Sequence, residues 1–70
     1  MQRGRITEFL FDNGDYFVAR TDMPGVRIGM VGGTCFELPA GHAYYNRVCE
    51  IANAVDAEEM FDELYAALHA

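Results

Sequence analysis

The first half of the chain alternates apolar and polar residues, and the second half changes to helical spacing. Residues 5–12 (Arg-Ile-Thr-Glu-Phe-Leu-Phe-Asp) and 15–21 (Asp-Tyr-Phe-Val-Ala-Arg-Thr) read as strands rich in aromatic and β-branched side chains. Asn13-Gly14 between them predicts a two-residue type I′ hairpin, because both residues tolerate the positive φ that such a turn needs. That turn would set Phe11 opposite Tyr16, Phe9 opposite Val18 and Thr7 opposite Arg20 on one side of the ribbon. Leu10-Phe17, Glu8-Ala19 and Ile6-Thr21 would lie on the other. Both sides then carry large apolar groups, so each is expected to be covered.

Met23-Pro24-Gly25 is a break, with Pro and Gly suited to the central positions of a type II turn. Val26 to Val31 alternates as a third strand. Gly32-Gly33 permits a tight turn, and Thr34 to Leu38 would return as a fourth strand with Phe36 opposite Gly29. Pro39 ends the sheet. His42 to Asn53 reads as a helix with Tyr44, Tyr45, Val48, Ile51, Ala52 and Val55 on one stripe. A second helix starts at Asp56 as N-cap, with Glu59 completing a capping box and Val55 and Met60 at hydrophobic-staple positions. Its stripe is Ala57, Met60, Phe61, Leu64 and Leu68, with Tyr65 at the edge. The expected fold is α+β. It is an antiparallel β-meander of three to four strands within residues 5–38, followed by helices at about 42–54 and 56–69 packed on one sheet face, in a single domain over 1–70.

Composition narrows the reading. A chain of 70 residues builds a thin core, so oligomerisation or partner binding is expected to add stability. Hydrophobic residues make up 51% of it, too many for a disordered chain even at a net charge of −6. No apolar run approaches the ~20 residues that span a bilayer. The basic start, Met1-Gln2-Arg3-Gly4-Arg5, leads into an alternating segment and not into an apolar signal core, which predicts a cytoplasmic protein without a membrane partner. Cys35 and Cys49 are then expected as free, half-buried thiols. The basic residues are five arginines, with no lysine. Residues 1–35 are balanced, while residues 36–70 set Arg47 against Glu37, Glu50, Asp56, Glu58, Glu59, Asp62 and Glu63 and hold the whole net charge. Direct nucleic-acid binding is disfavoured, because phosphates need a basic surface.

The acids of the second helix are the main candidate for function. Glu58-Asp62 and Glu59-Glu63 are like-charge pairs at i,i+4 and mutually repel. A solvated face at a helix N-terminus accounts for Asp56, Glu58 and Glu59 through the helix dipole, but accounts poorly for Asp62 and Glu63 one turn further on. No basic residue follows on that helix between residues 56 and 68. Cys35, His42, Cys49 and His69 have no close-paired zinc spacing, so no metal is expected. Asp12-Asn13-Gly14-Asp15 lacks the remaining ligands of a calcium loop, and Gly29, Gly32 and Gly33 lack the lysine of a phosphate loop. The chain has no serine, and Cys35 or Cys49 with His42 is the only conceivable nucleophile and base, without an orienting third group. A core cysteine is the plainer reading, and neither catalysis nor a cofactor is expected.

These features indicate a non-enzymatic interaction module, an inhibitor presenting Glu58, Glu59, Asp62 and Glu63, with Glu50 and Tyr45, to a basic site of another protein. Such a site could be one that otherwise holds nucleic acid. Phe9, Phe11 and Tyr16 form a second candidate surface on the sheet. In size and charge alone the chain is similar to phage-encoded anti-defence inhibitors such as anti-CRISPR proteins; no motif carries the similarity. The alternative is a homodimeric structural or regulatory subunit that associates through the sheet face.

Overall fold

The computed structural model describes residues 5–68. Four strands, β1 (Ile6–Asp12), β2 (Tyr16–Thr21), β3 (Gly25–Met30) and β4 (Cys35–Pro39), form an antiparallel meander in the order β1-β2-β3-β4. Two helices follow, α1 (Tyr45–Cys49) and α2 (Ala54–Leu68), giving the expected α+β arrangement. No helix among the described residues is long and apolar enough to cross a membrane. Arg3 and His69 lie outside the described residues.

The strands fall where alternation places them, but the turns and registers differ. In the first hairpin Gly14 has φ 91°, and no non-glycine residue among the described ones has positive φ, which excludes the type I′ turn. The two-residue turn is centred on Gly14-Asp15. Asn13 acts instead through its side chain, whose Oδ1 accepts the backbone N–H groups of Asp15 (2.8 Å) and Tyr16 (2.7 Å). Phe11 therefore faces Val18, and Asp12 faces Phe17. Two register shifts follow, each adding one residue to β1 (Leu10, then Thr7), so that Ile6 again faces Thr21 as expected. The bulges separate residues expected on one side. Leu10, Phe11 and Tyr16 pack against the core, whereas Phe9 sets its ring edge-on to Phe17, centroids 6.2 Å apart.

The expected type II turn at Pro24-Gly25 is absent, because Gly25 lacks positive φ and already belongs to β3, facing Thr21. Gly25 is needed for close approach instead: a Cβ there would lie 2.8 Å from the Leu38 carbonyl oxygen. In the last hairpin Phe36 faces Ile28 and not Gly29, whose partner is Cys35. The one-residue difference comes from the turn. Gly32, φ 77°, sits where a type II turn demands it, and the Gly33 N–H donates to the Met30 carbonyl at 2.9 Å.

The helix boundaries also move. The first helix is a single short segment, and residues 51–53 form an irregular connection with a bend at Asn53. The cause is Asn53, which caps α2 in place of Asp56. Its Oδ1 accepts the Asp56 N–H at 2.8 Å, and its Nδ2 donates to Asp56 Oδ2 at 3.1 Å. Helical geometry cannot continue through a residue that starts the next helix. The Asp56–Glu59 capping box is thus not formed, and Val55, 65% exposed, staples nothing. Ala52 is exposed and Leu68 is 56% exposed, although both lie on the expected stripes.

The core joins Val18, Val26, Ile28, Phe36 and Leu38 of the sheet to Val48, Ile51, Ala57, Met60, Phe61 and Leu64. Both helices lie on this one face. The opposite face is partly closed by its own side chains. Ala19 there is completely buried, between Phe9 on β1 and Arg27 on β3. The Arg27 guanidinium bonds to Glu37 at 2.6 Å, and its side chain is only 16% exposed. An arginine stem laid over small residues covers apolar surface without burying its charge.

Two stability predictions follow from this geometry. A Cβ at Gly29 would meet the Thr34 carbonyl oxygen at 2.6 Å and Cys35 Cα at 2.8 Å, whereas nothing lies within 4 Å of one at Gly41. Gly29→Ala should lower stability by about 1–3 kcal/mol through overpacking, with Gly41→Ala close to neutral. Equal urea midpoints for the two variants would refute the β3–β4 register. Loss of the cap in Asn53→Ala should cost about 1 kcal/mol, measured by the same unfolding curves.

Candidate acidic interaction surface

The described arginines are all engaged with carboxylates. Arg5 pairs with Asp22 (3.7 Å), Arg20 with Glu8 (3.6 Å), Arg27 with Glu37 (2.6 Å) and Arg47 with Glu63 (3.0 Å). Three of these pairs lie on the sheet or its loops. Seven acids have no ion pair among the described residues: Asp12, Asp15, Glu50, Asp56, Glu58, Glu59 and Asp62. The uncompensated charge is therefore confined to the tip of the first hairpin, the end of α1 and the first half of α2.

Packing of α2 divides these acids into two flanks. On one flank, the ring of Phe61 lies 5.7 Å from that of Tyr16 and holds α2 against β2. Burial pushes the Tyr16 phenol above its usual 10.0, and Glu58, Asp62 and Asp15 push it the same way by disfavouring a further negative charge. Tyr16 thus reports a negative field made jointly by the helix and the hairpin tip.

On the other flank, α1 and α2 enclose a hollow of about 240 Å³. Glu50, Asp56, Glu59 and Glu63 line it together with Arg47, and Ile51 and Met60 contribute its apolar part. Arg47 binds Glu63 through both terminal guanidinium nitrogens, at 3.0 and 3.1 Å, and lies 5.3 Å from the centre of the Tyr44 ring. The Arg47 guanidinium holds the Glu63 carboxyl below its usual 4.5, partly opposed by desolvation and aided by a hydrogen bond from Tyr44.

Of the residues singled out from the sequence, the structure groups Tyr16 with Glu58 and Asp62, and Glu50 with Glu59 and Glu63. Glu63 is paired across to α1 through Arg47, since no basic residue of α2 itself is near it. Tyr45 and Phe11 are partly buried against the core, and Phe9 lies apart, 55% exposed on the sheet face away from the helices. Asp15 and Arg47 are the residues that sequence reasoning missed. Arg47 and Glu63 are 16 positions apart, and no local spacing relates them. Cys35 is exposed and not half-buried, because it falls on the outer side of β4; Cys49 is partly buried, and neither forms a disulfide. His42 accepts the Tyr44 N–H at Nδ1 (3.1 Å) and stacks on that ring. No group of three or more His, Cys, Asp or Glu residues is placed to hold a metal ion among the described residues.

The depressed Glu63 carboxyl gives the fold a pH dependence of defined sign. Its contribution is fully present above the unfolded value near 4.5 and is lost as pH falls through the lower folded value. The parent should therefore lose part of its stability advantage over Arg47→Gln as pH drops below 4.5. Urea unfolding of both proteins from neutral to acid pH tests this, and a constant gap would exclude a contribution from the pair.

Comparison with family models, with curated proteins and with solved structures yields no match to this chain.

Proposed function

We propose that the protein is a non-enzymatic binding module that sets the first half of α2 and the adjoining hairpin tip against a basic surface of another protein, and so blocks that surface. One observation carries the reading: arginine pairing leaves five carboxylates without an ion pair on the helices (Glu50, Asp56, Glu58, Glu59 and Asp62) and two at the hairpin tip (Asp12 and Asp15) among the described residues. Self-repulsion among them is a cost to the isolated fold, and a cationic partner relieves it. Carboxylates spread over a helix and a neighbouring turn can occupy sites that a basic groove otherwise offers to phosphates. This makes a nucleic-acid-binding protein the partner class of choice and inhibition the outcome.

Glu58→Gln, Glu59→Gln and Asp62→Asn together form the test. Glu63 is left intact because of its tie to Arg47, and Glu59 is a clean position because Asn53, not a capping box, starts the helix. Partners captured from lysate by the parent should bind this variant with association slowed by about tenfold or more and with a weaker dependence on salt. Folding stability should be unchanged or slightly raised, since the Glu58–Asp62 repulsion is gone. Equal association rates for parent and variant across a salt titration would return this face to ordinary solvation.

Exposure of Phe9 beside Phe17 favours a second reading, self-association through the open sheet face. Light scattering should then give a dimer mass that Phe9→Glu reduces to that of the monomer. A monomer at all concentrations refutes it.

A further inference from the structure

No further inference is drawn: the strongest candidate, the carboxylate-lined hollow between α1 and the first half of α2, belongs to the acidic surface already described, and no second observation points to a ligand for it.

Discussion

Phe61 is the residue on which the arrangement depends. Its ring lies 5.7 Å from Tyr16 on β2 and 5.2 Å from Phe36 on β4, so one side chain of α2 engages two strands that are not neighbours in the sheet. Aromatic pairs of this kind add to simple area burial and prefer tilted geometries, which restrict how the helix can rotate. With Phe61 fixed, Ala57, Met60 and Leu64 must face the sheet, and Glu58, Glu59 and Asp62 must face outwards. The direction of the acidic surface is thus a consequence of packing.

A small core makes that restriction costly to break. Few side chains are fully buried, and those that are come from β2, β3 and both helices, with Phe36 and Leu38 of β4 nearly so. β1 instead contributes partly buried Leu10 and Phe11 and carries two bulges. Bulges on an edge strand twist it and interrupt its free hydrogen-bonding groups, which discourages pairing with another chain. The same device turns Phe9 away from the core. The two irregularities therefore protect the sheet edge, and the one between Phe9 and Phe11 leaves the exposed aromatic on the open face.

Charge and packing meet at α1. It is too short to hold itself by propensity, since isolated helices need roughly 12–15 residues to persist even with good formers. Val48 anchors it in the core, and Arg47 ties it to α2 through Glu63 while resting on Tyr44. The tie takes Glu63 out of the uncompensated set and leaves Glu50, Asp56 and Glu59 around the hollow. An exposed ion pair of this kind is worth little by itself. Its larger effect is on layout, because it decides which carboxylates remain available to a partner.

The sequence alone determined the four strands, the presence of two helical segments, the buried stripe of α2 and the location of the net charge. Each rests on a periodicity of 2 or 3.6, or on composition, and both are local properties. Tertiary structure decided the registers, since Asn13 can be a turn residue or a side-chain cap, and only the pairing of Phe11 with Val18 selects between them. It likewise decided that Asn53 and not Asp56 starts α2, because both are good caps and the packing of Val48 and Ile51 fixes where the chain must turn. The acidic surface was legible as a list of residues but not as a shape. Its division into two flanks depends on Phe61 meeting Tyr16 and on Arg47 reaching Glu63, contacts between residues far apart in the chain that no local pattern encodes.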